Sequence, residues 1–156
     1  MSPRAAWRLD SLGFDAYDYV AGKADWLAFG LAYEGDAQLA GSVLATDVPT
    51  CGFRDQLGDV RAVLEESRFG QVVALNGEGI VMGRLTRDAL AAPKDTTVDA
   101  LMREGPATVR PSEELGRLLQ RMRCAGIDGI LVTRSDGRLL GLLERDRGER
   151  AVGDGT

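Results

Sequence analysis

The sequence predicts an α+β fold made of two copies of one supersecondary unit, with a short α/β extension in front of them. Three observations carry this expectation. Displacing the chain by 58 residues lays 50–88 over 108–146 without a gap and makes eight positions identical: Thr50/Thr108, Leu57/Leu115, Gly58/Gly116, Gly79/Gly137, Gly83/Gly141, Leu85/Leu143, Arg87/Arg145 and Asp88/Asp146. Seven further pairs keep apolar character, namely Val60/Leu118, Leu64/Met122, Phe69/Ile127, Val72/Ile130, Val73/Leu131, Val81/Leu139 and Met82/Leu140. Each copy should therefore bury one face against the other. Finally, 156 residues that are 44% hydrophobic and 28% charged, with 5 Pro, have the balance of a globular chain long enough to build a core, as one domain or two small ones.

The elements follow in order. In the second copy, Val98-Asp99-Ala100-Leu101-Met102 reads as a short amphipathic turn, and Gly105-Pro106 breaks the chain before the β-prone Ala107-Thr108-Val109. Pro111-Ser112 supplies an N-cap, and Glu113 and Glu114 suit the positive end of the next helix. Leu115, Leu118, Leu119 and Met122 then fall at i, i+3, i+4 and i+7 on one face. Gly126 ends that helix. Ile130-Leu131-Val132, the turn Ser135-Asp136-Gly137 and the run 139–143 read as a β-hairpin, and a short helix begins near Arg145. The first copy repeats this order: Val43-Leu44, Pro49-Thr50-Cys51, a helix bearing Leu57, Val60 and Leu64, a strand over 72–75, a turn over 76–79 and a strand over 80–85. Arg54 stands at the cap position of its helix and is a poor cap, which predicts a frayed first turn. The expected organisation is an extension over 1–40, repeats over 41–96 and 97–150, and a disordered tail over 151–156, with the Gly- and charge-rich composition that starts at Gly148.

Composition excludes several chemistries. With His 0 there is no Ser-His-Asp triad, no Cys-His pair and no ordinary zinc site, so neither a catalytic residue nor a metal ligand is assigned. Lys+Arg 19 against Asp+Glu 24 gives a net charge of -5, which argues against nucleic acid and anionic membranes as partners. The charge is uneven: every basic residue after position 98 is Arg, a side chain suited to phosphate and carboxylate but equally common on a solvated, ion-paired surface. Cys51 and Cys124, the two thiols, are expected as small core residues. No signal-like or membrane-spanning apolar run is present, and a cytoplasmic location is expected.

From Thr97 to Asp146 the chain resembles a CBS domain, the cystathionine-beta-synthase module that occurs in tandem pairs. The likeness lies in Val98-Asp99-Ala100-Leu101-Met102, in Pro106-Ala107-Thr108-Val109-Arg110-Pro111 and in Asp136-Gly137-Arg138-Leu139-Leu140-Gly141, and residues 41–92 look like a first CBS motif. The resemblance implies a tandem CBS pair, two β-α-β-β-α repeats packed sheet to sheet about a pseudo-twofold axis and commonly dimerising, hence a homodimer. It implies a regulatory module, not an enzyme, that senses an adenosyl ligand (AMP, ADP, ATP or S-adenosylmethionine) in clefts between the repeats and signals to a protein partner the sequence does not name. No cofactor is required. The other reading is a ligand-free dimerisation or scaffold module whose nucleotide sites have decayed.

The family's GxxTxxD segment carries the phosphate and ribose contacts, and both copies here depart from it. The first reads Gly83-Arg84-Leu85-Thr86-Arg87-Asp88-Ala89, with Thr86 in place but the carboxylate one residue early. The second reads Gly141-Leu142-Leu143-Glu144-Arg145-Asp146-Arg147, with Glu144 at the Thr position and Arg147 at the Asp position. The resemblance makes Thr50, Thr86, Arg87, Asp88, Thr108, Arg145 and Asp146 the candidate ligand-binding residues. Two plainer readings stand beside it: Asp88 and Asp146 as first-turn acids favoured by a helix dipole, and Thr50 and Thr108 as β-formers at strand starts.

Ahead of the repeats, Arg8–Phe14, Tyr17–Val20 and Ala21–Leu31 read as helix, Gly stop, strand, Gly turn and short helix. This order resembles the tail of a rhodanese-like sulfurtransferase domain. No thiol precedes Cys51, so sulfur transfer by that family's mechanism has no nucleophile. Phe14, Tyr17, Tyr19, Trp26 and Phe29 are expected to cover an edge or face of the repeat pair.

Overall fold

The computed structural model describes residues 8–16, 26 and 38–153. The repeat read from the sequence is present as two small sheets, each backed by helices. The first sheet contains β1 (Thr50–Gly52), β2 (Gln71–Leu75), β3 (Val81–Thr86) and β4 (Arg103–Glu104), hydrogen-bonded in that order. The second contains β5 (Thr108–Val109), β6 (Gly129–Thr133) and β7 (Leu139–Glu144), again in order. The main helices are α1 (Leu57–Glu66), α2 (Val98–Leu101), α3 (Leu115–Ala125) and α4 (Arg145–Gly153), with 3-10 turns at Ala40–Val43 and Arg87–Ala91.

The 58-residue offset governs the hydrogen bonding as well as the order. Parallel pairing sets Thr50 opposite Val73 and Thr108 opposite Leu131, and each hairpin carries its bulge at the same point, Ala74/Leu75 and Val132/Thr133. Between the repeats, the Val81 N–H donates to Gly137 O (3.1 Å) while the Leu139 N–H donates to Gly79 O (3.2 Å). These two bonds exchange under the same shift, and Ile80 pairs with Arg138, its own equivalent. A pseudo-twofold axis therefore passes between the hairpin turns.

Apart from Gln71 and Thr133 at their ends, strands β2 and β6 carry no polar side chain, because both of their faces are covered. On one face Val72 and Ala74 meet Leu57, Val60, Leu64 and Leu85; on the other Val73 meets Leu131 and Leu142 of the opposite sheet. Ile130 and Val132 pack in the same way on Leu115, Leu118, Leu119 and Met122, the face that the helical spacing predicts. The sheets thus pack on each other through Val73 and Leu131, with an outer helical core on each side.

The segment that leads into each repeat packs into the other repeat, a crossing that the spacing of residues does not predict. Ala40 and Val43 belong to the core around α3, and Val98 to the core around α1. Arg103 pairs with Arg84 on β3, and Ala45 pairs with Leu142 on β7. This crossing corrects the expected frayed start of α1. Gln56 forms no side-chain cap, but the Leu57 N–H donates to Thr96 O (2.9 Å) and the Gly58 N–H to Lys94 O (2.8 Å). The expected cap at Ser112 is likewise not used. Helix α3 starts at Leu115, whose N–H donates to Gln38 O (2.8 Å). Helix-end donors need an acceptor of some kind, and here the crossing backbone supplies it.

Gly126 closes α3 as read, with φ 64° and ψ 32°, a left-handed conformation that glycine adopts at no steric cost. After β3 the chain makes only a 3-10 turn, since Ala92 precedes Pro93 and is held extended (ψ 159°). After β7 it forms α4 instead, and 151–153 of the tail expected to be disordered are helical. Gly148 is buried against Leu119 and Leu115, so close that a Cβ would stand 2.8 Å from Leu119 Cδ2. Residues 154–156 lie outside the described residues.

Two other expectations need correction. Cys124 is exposed rather than in the core, and Cys51 is half-buried. Phe14 is 62% exposed, too open for the covering role expected of it. Tyr17, Tyr19 and Phe29 lie outside the described residues, as does the segment read as a strand over 17–20. Of the rhodanese-like reading only 8–16 and Trp26 are described, which gives that likeness no support.

Candidate functional site

The seam between the repeats opens into a cleft of about 470 Å³, within the size range of roughly 300–1,000 Å³ usual for small-molecule sites. The first repeat contributes Arg68, Phe69, Gly70 and Gln71 from the entry to β2, with Arg84 and Thr86 from β3. The second contributes Gly126, Ile127, Asp128 and Gly129 from the entry to β6, with Leu142 and Glu144 from β7. Every residue of one wall is the 58-residue equivalent of a residue of the other. The cleft therefore straddles the pseudo-twofold axis.

Its charges are organised by arginines. The Arg68 ring neighbour is Phe69, at 4.1 Å from guanidinium to centroid, and stacking of this kind fixes the plane of the guanidinium. Arg68 Nη2 donates to Asp47 Oδ1 (2.9 Å) and Nη1 donates to Glu144 Oε2 (3.3 Å), so one side chain of the first repeat spans to the second. The hydrogen bond from Arg68 holds the Asp47 carboxyl below the usual carboxylate range. Arg84 Nη1 donates to Gln71 Oε1 at the long distance of 3.5 Å.

The seven residues singled out from the sequence are placed unequally. Thr86 lines the cleft, and its hydroxyl lies 3.4 Å from Asp88 Oδ2. Asp88 is exposed in the first turn of the 3-10 segment and paired with Arg103 at 3.0 Å. Arg87 donates to the buried Ser67 carbonyl (2.9 Å), which ties the end of β3 to the end of α1. Arg145 stands at the start of α4 and grips Asp128 of the cleft wall at 2.8 Å. Asp146 is exposed in the first turn of α4. Thr50 and Thr108 are exposed on β1 and β5, opposite Val73 and Leu131, and do not line the cleft. Thr86 thus stands on the wall, Arg145 reaches it through Asp128, and the other five do not line it.

Sequence reasoning missed Arg68, Arg84 and Asp128. Their pseudo-equivalents Gly126, Leu142 and Gly70 carry no charge, so an alignment of the copies marks these positions as unmatched instead of shared. Glu144 stood out as an acid where a phosphate contact is expected, and the structure shows that Arg68 neutralises it.

Burial, with a smaller contribution from Asp55, pushes the Cys51 thiol up to about 11. At neutral pH it is the thiol and not the nucleophilic thiolate. Iodoacetamide at pH 8 should therefore label the exposed Cys124 first and leave Cys51 unmodified until the protein unfolds. Intact mass and peptide mapping read this out, and equal labelling rates at both sites would contradict the burial of Cys51.

Residues 98–147 match the CBS domain family. No match was found among curated proteins. Among solved structures, the chain is similar to the soluble part of a magnesium transporter, with a TM-score of 0.67 and 21% identity, covering 80% of this chain and 50% of that one. It is similar to the cytosolic domain of the Mg2+ channel MgtE in complex with ATP, with a TM-score of 0.65 and 21% identity over 76% of this chain and 50% of that one. A third similar structure is a CBS-domain pair in complex with 5'-methylthioadenosine and S-adenosyl-L-methionine, with a TM-score of 0.62 and 18% identity over 77% of this chain and 99% of that one. The chain spans half the length of the first two. The fold is that of a CBS-domain pair. No described helix is long and apolar enough to cross a membrane.

Proposed function

We propose that the chain is a regulatory module without catalytic activity, which takes an adenosyl ligand (AMP, ADP, ATP or S-adenosylmethionine) into the inter-repeat cleft and relays its occupancy to a protein partner. The observation that carries this reading is the cleft of about 470 Å³ on the seam, where apolar and ionic groups meet. Phe69, Ile127 and Leu142 offer an apolar slot for adenine, and strand entries at Gly70 and Gly129 offer backbone donors and acceptors. Arg68 and Arg84 suit a phosphate or carboxylate. Thr86 joins them from the wall and Arg145 acts through Asp128, while Thr50, Arg87, Asp88, Thr108 and Asp146 lie off the wall. The ATP complex and the S-adenosylmethionine complex of the similar structures support the ligand class. Homodimerisation and a cytoplasmic location complete the proposal.

The test is a thermal shift of the full chain with each ligand. Ligand at 100 times its Kd stabilises by about 2.7 kcal/mol, which at roughly 2–4 °C per kcal/mol for a chain of this size raises Tm by about 5–11 °C. Loss of the rise in Arg84→Ala or Thr86→Val, both on the wall, would place the ligand in the cleft. A second reading, a scaffold with decayed sites, is favoured by the Arg68–Glu144 ion pair inside the cleft and by Ala89 and Arg147 at the family's carboxylate positions. It predicts no rise with any adenosyl ligand at millimolar concentration.

A further inference from the structure

We propose that the cleft selects an adenosyl ligand carrying both a cation and an anion, the class of S-adenosylmethionine, over nucleoside polyphosphates, and that Glu144 sets this choice. The proposal rests on the adenosyl-ligand reading above. The pseudo-twofold axis relates the two walls residue by residue but does not relate their charges. Arg68 and Arg84 on the first wall face Gly126 and Leu142 as equivalents, and Asp128 and Glu144 on the second have Gly70 and Thr86 as theirs. One wall is doubly positive and the other doubly negative. A ligand entering such a cleft has one favourable orientation, and it needs charge of both signs to satisfy the two walls.

The ion pairs already present sharpen this requirement. Asp128 is held by Arg145 at 2.8 Å, while Glu144 is paired, among the described residues, with Arg68 alone, at 3.3 Å, and shares it with Asp47. A phosphate drawn to Arg84 and Arg68 takes from Glu144 its counterion and leaves two anions facing each other in one cleft, a loss that desolvation enlarges. A ligand with a sulfonium or ammonium group replaces the lost counterion on Glu144 while its carboxylate takes the arginine. One internal ion pair is then exchanged for two to the ligand, and the cleft stays balanced. Specificity of this kind comes from the penalty on the wrong ligand as much as from contacts to the right one.

Calorimetric titration of the full chain tests the proposal, using S-adenosylmethionine, 5'-methylthioadenosine and ATP in the presence of a chelator, so that no divalent cation shields the phosphates. The expected result is binding of S-adenosylmethionine at least about tenfold tighter than either of the other two, the factor that a hydrogen bond to a desolvated charged group supplies. Glu144→Thr, which gives the second wall the residue of the first, should reverse the order of S-adenosylmethionine and ATP, and Glu144→Gln, which keeps the shape, should abolish the preference. A wild-type chain that binds ATP as tightly as S-adenosylmethionine, or a preference unchanged in both variants, overturns the proposal while leaving the adenosyl-ligand reading intact. Binding of none of the three ligands overturns both.

Discussion

Leu115→Ala and Leu57→Ala should each lower the unfolding free energy by about 2–5 kcal/mol, the usual cost of deleting a buried leucine, and Tm by roughly 4–20 °C at about 2–4 °C per kcal/mol. Both side chains are fully buried at the first position of their helices, and both backbone N–H groups bond to a segment leading into a repeat, Leu115 to Gln38 O and Leu57 to Thr96 O. The pseudo-twofold axis makes the two sites equivalent, so the losses should agree within the scatter of such substitutions. The crossing adds a second expectation. Each outer core contains residues from the segment that leads into the other repeat, Ala40 and Val43 on one side and Val98 on the other. Neither half can unfold without stripping the partner's core, so each variant should shift a single calorimetric transition. Two resolved transitions, with only one of them displaced by Leu57→Ala, would show that the halves are independent.

Gly141→Ala is expected to cost about 3 kcal/mol, at the upper end of typical overpacking penalties, and about 6–12 °C in Tm. A Cβ at this position would stand 2.5 Å from Ala45 O, and that oxygen accepts the Leu142 N–H at 3.0 Å. Relief requires moving backbone, which breaks the pairing that attaches the crossing segment to β7. Its equivalent Gly83 meets the same restriction, with a Cβ 2.6 Å from Met102 Sδ and 2.9 Å from Arg103 O, but a methionine end gives way more readily. Gly83→Ala should therefore cost less than Gly141→Ala. Gly116→Ala, exposed near the start of α3 with nothing closer than Glu114 Oε1 at 3.6 Å, serves as the control and should be neutral or stabilising by up to about 1 kcal/mol. Chemical denaturation of the three variants ranks them, and a harmless Gly141→Ala would mean that the crossing segment does not sit against β7.

The glycines show how far the sequence could be read. Gly83 and Gly141 are identical under the 58-residue shift and were visible as such, yet their reason is a segment nearly a hundred residues away for Gly141 and about twenty for Gly83. Local periodicity reports which face of α3 is apolar. It does not report whose chain covers that face. For the same reason Ser112 read as a cap and Arg54 as a missing one, although both helices take their first acceptors from the crossing backbone. The candidate site divides in the same way. Thr86 and Glu144 fell where the repeat pattern put them, whereas Arg68, Arg84 and Asp128 broke that pattern and emerged only as a cleft wall.

By itself the sequence determined the duplication, its register, the apolar faces of α1 and α3, the two hairpins and the absence of histidine chemistry. All of these are set by spacing along the chain or by composition, and spacing survives folding. Only the tertiary structure decided that each repeat's leading segment completes the other's core, that α4 extends to Gly153 because Gly148 lets it lie on Leu119, and that Arg68 bridges Asp47 and Glu144 across the seam. Those outcomes depend on which distant backbone and which distant charge come within hydrogen-bonding reach, and the meeting of two halves about an axis fixes that distance.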